Sequence, residues 1–457
     1  MVAEGRLALA AGLALLVFAA PLPFGGVLPA AEAGLLVGAF LLFALALAKP
    51  VEEDSWRKAR GPAFALALVA GWGLLQAVPL PRALHALAPA RLELAARAGE
   101  PPATLPLSFS PWLSVWSALA VLAAAALLVA SAALGRERSL RRAVWGAIGL
   151  VSVGEVLVGA RAWLERSPTI WGVPVATDLT RLRGTFVNPN HLATWLLIPL
   201  AGAFAWLWWA LRRSRDAGRL EERILLVSVP ALVWLVLFAG LAATGSRGGL
   251  VAWALGTTLQ AALLMLRRGL SWRYGLAAGG ALAGAGALAF STLGGEGVLG
   301  RWLGASGAAG GVDRLTVWTA SLELVARFPF LGTGLGSFRD VFPLVQPAAT
   351  PGLWWHAHND WLEALVTLGL VGFALLLSAV ALASYRLSET WKHGRRSEDR
   401  ATALAALGAL AAVAVHEVFD FGLTMPANAL ALAAVVGLGL GVPRGRGTGE
   451  ATSRTGG

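Results

Sequence analysis

The chain has 457 residues, of which 57% are apolar and only 14% charged, and its mean hydropathy is +0.68. A soluble protein of this length would divide into two or three domains, and the polar material here is too scarce to cover their surfaces. The net charge of +11 is spread over many short segments, which argues against a nucleic-acid partner, and the lack of cysteine excludes disulfides, thiolate metal sites and cysteine nucleophiles.

A run of about 20 apolar residues crosses a bilayer as a helix. In chain order the predicted spans are 6–22, 28–48, 62–79, 112–134, 143–160, 190–211, 224–244, 249–266, 274–293, 361–384, 402–421 and 426–442. The loops alternate between Arg-rich and Arg-poor. With both termini in the cytoplasm, 25 of the 37 basic residues, including all three lysines, face inward, which is the orientation the positive-inside rule selects. The predicted fold class is therefore an all-α integral membrane protein of about twelve transmembrane helices, with a periplasmic loop and helix subdomain between spans 9 and 10. Residues 1–160 form N-terminal transmembrane helices. Residues 161–442 form a core that includes the loop 294–360, and 443–457 is a disordered cytoplasmic tail rich in Gly, Arg and Thr. Only three outer loops are long enough to hold a site: 80–111, 161–189 and 294–360.

The twelve remaining basic residues are all arginines on the side that the rule depletes. Within the early spans, Glu155 is the one acidic residue well inside. Arg181 and Arg183 precede Gly184-Thr185-Phe186-Val187-Asn188-Pro189-Asn190-His191. Asn188 or Asn190 can cap the following helix, Pro189 suits its start, and His191 reads as structural in its first turn. Arg183 lies near the positive end of that helix dipole, so an anion site and a plain structural role both fit it. Arg247 sits in Thr244-Gly245-Ser246-Arg247-Gly248-Gly249, between two spans. It is either a snorkelling anchor or an anion ligand whose flanking glycines admit backbone N–H groups to the same anion. A charge at that depth favours the second reading.

Farther on, Asp313 to Phe328 has helical periodicity, with Leu315, Trp318, Leu322 and Val325 on one stripe. This predicts an amphipathic helix lying on the membrane or packed over the spans, with Arg314 as an anion ligand or a surface residue. The glycines of Pro329-Phe330-Leu331-Gly332-Thr333-Gly334-Leu335-Gly336 fit neither nucleotide-binding fingerprint and read as a tight turn close to the membrane. In Trp354-Trp355-His356-Ala357-His358-Asn359-Asp360-Trp361-Leu362-Glu363, Asp360 and Glu363 have capping-box spacing and the tryptophans suit an interfacial belt. A metal site on His356, His358 and Asp360 lacks a second pole of ligands. A histidine close to arginines suits a general base for a hydroxyl group. Finally, His416, Glu417 and Asp420 either cap the polar top of the bundle or pair with Arg247 or Arg314.

Taken in order, the Ser-Arg-Gly-Gly turn, the Arg314-x-x-x-Trp318 helix, Pro-Phe-Leu-Gly-x-Gly, His-Asn-Asp-Trp-Leu-Glu and Gly369-Leu370-Val371-Gly372 resemble the bacterial O-antigen ligase and polymerase family. Arg-Gly-Thr-Phe-x-Asn-Pro-Asn before a span, and His416-Glu-Val-Phe-Asp420-Phe with Pro426, are similar to that family too, so the likeness runs from about Arg183 to Pro426. The resemblance implies a membrane glycosyltransferase of lipopolysaccharide or other cell-envelope polysaccharide biosynthesis. Such an enzyme moves a glycan from undecaprenyl diphosphate to a glycan or lipid A-core acceptor at the outer face of the inner membrane, with no cofactor, metal or nucleotide sugar. It further implies Arg183, Arg247 and Arg314 as diphosphate ligands, His358 as base with His356 second, and Asp420, Glu417 and Asn359 in support. Charge grows on the bridging phosphate oxygen as the glycosidic bond breaks, and losing one guanidinium there costs on the order of 3 kcal/mol of barrier. The alternatives are a lipid-linked-glycan flippase or transporter, or a non-enzymatic subunit of an envelope complex.

Overall fold

The structure is a computed structural model and describes residues 2–48, 53–87, 89–97, 99, 103–175, 179–267, 273, 308–348 and 350–443. Among these residues it is all-helical apart from two short ladders. The first half holds α1 (Val2–Ala19), α2 (Pro29–Leu47), α3 (Glu53–Ala77), the surface helix α4 (Pro89–Arg97), α5 (Pro111–Leu134) and α6 (Arg138–Leu164). Then follow α7 (Pro189–Arg213), α8 (Leu220–Ala243), α9 (Arg247–Arg267), α10 (Ala308–Arg327), the single turn α11 (Phe338–Val341), α12 (Asp360–His393), α13 (Ser397–His416) and α14 (Pro426–Leu440).

Eight of these helices are long and apolar enough to cross a membrane, namely α2, α5, α6, α7, α8, α9, α12 and α13. The predicted count of twelve is thus not reached among the described residues. Predicted span 274–293, the first part of loop 294–360 and residues 444–457 of the tail lie outside them. The other predicted spans coincide with helices, but three fall short. The 15 residues of α14 cover only about 22 Å at 1.5 Å per residue, below a hydrocarbon thickness of about 30 Å. The apolar part of α1 is equally short (Gly5–Ala19), and α3 opens on a charged turn that includes Arg57, Lys58 and Arg60.

Burial separates centre from rim. In α13 and α7, 78% and 72% of the apolar window is buried inside the protein, against 28% in α2 and α8, whose apolar faces are therefore left for lipid. Small residues let the central helices approach closely: a Cβ added to Gly256 would lie 2.8 Å from Ala412 Cβ. Polar side chains pin the packing. Gln260 Nε2 donates to Ala201 O and Leu404 O, both at 3.0 Å, tying α9 to α7 and α13. Buried Arg141 meets Asp399 at 2.7 Å. Glu155, inside α6, accepts from Thr185 N at 2.7 Å and Thr185 Oγ1 at 2.8 Å, so its carboxylate fastens the Gly184-Thr185 loop.

Helix α12 is broken at Gly369 (φ 63°, ψ −176°). The loop Pro329–Gly336 takes over the backbone groups that the break frees. Leu370 N donates to Pro329 O (2.8 Å), Thr333 N to Val366 O (3.1 Å) and Gly334 N to Thr367 O (2.9 Å). Gln76 adds Nε2 bonds to Leu331 O and Thr367 O (2.6 and 2.9 Å) and accepts from Leu335 N (3.0 Å), which satisfies an interruption that lipid would not tolerate. A Cβ at Gly369 would lie 2.4 Å from Phe330 O.

Helix α10 corrects the predicted stripe. Its buried face is Val317, Ser321, Leu324 and Phe328, packed with Phe338, Val341, Phe342 and Val366, whereas Leu315 and Leu322 are exposed. Both stripes satisfy helical spacing, and packing over α12 selects the one that meets Val366.

Candidate active site

One end of the bundle gathers chemistry-bearing residues from α7, α9, α10, α12 and the α13–α14 connection. The centre is the segment Glu417–Phe421. Asp360 N donates to Glu417 O (2.8 Å) and Asp420 O (3.1 Å), which joins the start of α12 to the end of α13. Glu417 Oε2 accepts from Gly422 N at 2.6 Å, and Asp360 Oδ2 from Leu423 N at 3.2 Å.

The Phe421 ring organises three histidines. The ring centroids of His191, His356 and His358 lie 4.6, 4.3 and 4.7 Å from it, with His356 stacked and the other two edge-on. The fourth histidine, His416, is buried. Its Nδ1 lies 2.8 Å from Thr194 Oγ1 and its Nε2 3.3 Å from Ser246 Oγ, so it bridges α7 to the Ser246-Arg247 turn.

His358 takes a left-handed backbone conformation (φ 53°), unusual for a residue with a side chain. Its Nδ1 stands 3.8 Å from Asp420 Oδ1, an ion-pair distance too long for a direct hydrogen bond. Both Asp420 carboxylate oxygens are buried without a hydrogen-bond partner. Burial alone would raise the Asp420 carboxyl. His358, His191, His416 and Arg314 outweigh it and bring the group down to about 2, so Asp420 is a permanent anion. With Nδ1 facing that anion, Nε2 of His358 is the nitrogen left to take a proton.

His356 is held differently. Glu363 Oε1 meets its Nδ1 at 3.0 Å, and Glu363 Oε2 accepts Ala357 N at 2.9 Å. Burial disfavours the charged ring, but Glu363 prevails and holds His356 above the usual histidine value. The predicted capping box is corrected here. Asn359 is the N-cap, its side chain accepting from Leu362 N at 3.0 Å, while Glu363 orders the histidine loop. Burial pushes the Glu417 carboxyl up to about 8.

The predicted arginines divide. Arg314 Nη1 donates to Phe419 O at 3.1 Å and lies close enough to lower Asp420. Arg247, exposed at the start of α9, follows Ser246 on His416, and the next residue packs on the same segment: a Cβ at Gly248 would sit 3.0 Å from Phe419 Cβ. Arg183 does not join them. It is 3% exposed, and its Nη2 donates to Ser167 O (2.9 Å) and Thr169 O (3.1 Å), bracing the short hairpin of Thr169–Ile170 and Val173–Pro174. Burial lowers its pKa. The neighbour two residues earlier stands at the turn instead: Arg181 Nε donates to Thr244 O and its Nη2 to Asn190 Oδ1, both at 2.6 Å. Arg181 was visible in the sequence, but only the path of the loop tells the two arginines apart. Phe421 entered the sequence reading only as the last residue of His416-Glu-Val-Phe-Asp420-Phe, and Thr194 carried no signal that would have marked it.

Asn188 caps α7 through its side chain, which accepts from Asn190 N, and His191 is buried in the first turn, as predicted. Among the described residues no group of three or more His, Asp or Glu is arranged to hold a metal ion.

A search among curated proteins gave no match to this chain. A comparison with protein families matched residues 231–377 to the family described as O-antigen ligase. That stretch runs from within α8, through the Ser246-Arg247 turn and α10, to the middle of α12, and so contains Arg247, Arg314, His356, His358 and Glu363. Residues 231–377 are thus similar to the O-antigen ligase domain, within a chain whose described residues include eight helices long and apolar enough to cross a membrane.

Proposed function

We propose that this protein transfers or polymerises glycan from an undecaprenyl-diphosphate carrier onto a glycan or lipid A-core acceptor at the periplasmic face of the inner membrane, with its termini in the cytoplasm. One observation carries the reading. His358 stands 3.8 Å from the buried Asp420 carboxylate, whose pKa Arg314 also lowers, and the Arg247 turn adjoins them through Ser246 and His416 at the same end of the bundle.

In the proposed step the acceptor hydroxyl attacks the anomeric carbon of the lipid-linked sugar. The bond from that carbon to the diphosphate oxygen breaks, and the electron pair leaves with the lipid diphosphate. The hydroxyl proton goes to His358 Nε2, and Asp420 stabilises the resulting imidazolium. Arg247 and Arg314 offer paired N–H donors to the departing diphosphate, a geometry that lysine does not reproduce. They supply the neutralising charge, so the step needs neither metal nor nucleotide sugar. Arg183, enclosed by loop carbonyls, supports the site from behind, and the diphosphate role assigned to it passes to Arg181. Glu155 is occupied by Thr185, which favours an enzyme at the rim over a transport path through the bundle.

The test is complementation of a deletion strain, read as the glycan profile. Arg247→Ala, Arg247→Lys and His358→Ala are expected to abolish the product, and Arg57→Ala, remote from the site, to preserve it. Normal profiles with Arg247→Ala and His358→Ala would remove the proposal. Loss of long chains identifies a polymerase, and loss of all acceptor-linked glycan a ligase.

A further inference from the structure

The end of the bundle opposite the histidines carries a second concentration of charge. α7 runs from His191 to Arg212 and α13 from His416 back to Ser397, which places the two ends about 30 Å apart, one hydrocarbon thickness. There a cavity of about 470 Å³ is lined by Arg212, Arg213, Arg215, Arg395, Arg396 and Arg400, with Asp216 the single lining carboxylate, 3.9 Å from Arg213. Neighbouring arginines are matched one to one: Arg141 with Asp399 at 2.7 Å, and Arg142 with Glu398 through two bonds of 2.7 and 2.8 Å. Asp216 is the carboxylate that lines the cavity beside these six arginines, and Asp399, bound to Arg141, also acts on Arg400. Arg400 donates Nη1 to Gly394 O at 2.8 Å while its Nε is buried without a hydrogen-bond partner.

The positive-inside tendency explains arginines at this end but not their convergence on one concavity. Like charges held together in a partly enclosed space are unfavourable unless an anion joins them. We infer that this cavity binds the headgroup of an anionic membrane lipid carrying two phosphates. Six guanidiniums against one carboxylate call for more than one phosphate. The surroundings are those of a bilayer surface. Arg212 stands over Trp208 (5.6 Å) and Arg267 over Trp391 (5.6 Å), and those two indoles pack edge-on at 5.6 Å. Leu211 and Leu266, 48% and 54% exposed, lie beside these arginines in sequence and offer apolar surface to acyl chains. Basic pockets between membrane helices recognise such headgroups.

The experiment uses the full chain purified in detergent, with binding read as a saturable thermal shift on titration with cardiolipin. Phosphatidylcholine and inorganic pyrophosphate are the comparison probes. The triple variant R213Q/R215Q/R395Q, all at exposed positions, is expected to bind cardiolipin roughly a hundredfold more weakly. R57Q/R60Q/R219Q removes the same charge elsewhere and is expected to change binding less than about threefold. Equal losses in the two triples would overturn the inference, as would pyrophosphate alone giving the full shift. Photoactivatable cardiolipin on the unaltered protein provides a measurement independent of the variants' folding. Labels are expected within 206–216 and 391–400, and labelling spread evenly over the bundle would refute the site.

Discussion

Replacing Asp420 by Asn isolates the proposed electrostatic element with almost no change of shape. Neither carboxylate oxygen makes a hydrogen bond and the side chain is 1% exposed, so the substitution removes charge rather than a bond. Two routes give its size. Lowering the carboxyl from 3.8 to about 2 corresponds to on the order of 2 kcal/mol of stabilisation of the anion by its surroundings. Coulomb's law for one pair of unit charges 3.8 Å apart gives about 4 kcal/mol at an effective dielectric constant of 20. If the His358 imidazolium forms during transfer, D420N loses between these values, a fall in rate of roughly 30- to 1,000-fold. The assay is transfer by purified protein from a lipid-diphosphate donor, with thermal stability measured in parallel. The expected result is a rate within that range and a largely preserved melting temperature. Unchanged transfer would refute the assignment of Asp420 to the charge on His358.

Three further outcomes follow from the same geometry. Gly369→Ala places a Cβ 2.4 Å from Phe330 O at φ 63° and is expected to cost at least about 3 kcal/mol, whereas Gly34→Ala, with nothing within 4 Å of its Cβ, is expected to be neutral or mildly stabilising in thermal melts. Glu363→Gln removes the charge that raises His356. A folded pKa above the unfolded value of 6.5 gives a stability contribution that is complete below 6.5 and lost as pH rises through the folded value. In the variant, NMR titration of the ring is expected at lower pH and the decline in stability above 6.5 is expected to flatten; an unmoved titration would exclude Glu363 as the cause. Glu155→Ala strands Thr185 N, while Thr185 Oγ1 keeps Pro21 O, and is expected to cost about 2 kcal/mol in denaturation, whereas Glu155→Gln, which still reaches both groups, is expected to cost under about 1 kcal/mol.

Hydropathy carried much of this architecture. α2, α5, α7 and α8 are plain in the sequence because a lipid-facing or fully enclosed helix must be apolar throughout. The stripe of α10 was misread because its two apolar faces both keep helical spacing, and the partner that chooses between them, Val366, lies far along the chain. The clustering of His358 with Asp420 rests on Asp360 N reaching across 60 residues to Asp420 O, a pairing for which no local pattern exists. Arg181 and Arg183 present the same residue type two positions apart. Only the loop conformation, with Gly184 at φ 59° packed against Glu155, turns one guanidinium toward Thr244 and the other toward Ser167.

The interruption of α12 has a mechanical consequence. The Pro329–Gly336 strap is bonded to both sides of the break, to Val366 O and Thr367 O on the near side and to Leu370 N and Val371 N on the far side, and the near piece carries Asp360 and Glu363. The strap therefore splints the break, and the His356 ring held by Glu363 is tied through it to both arms of α12. The positive-φ glycines at 332, 334 and 369 let the two backbones lie close enough to make that splint.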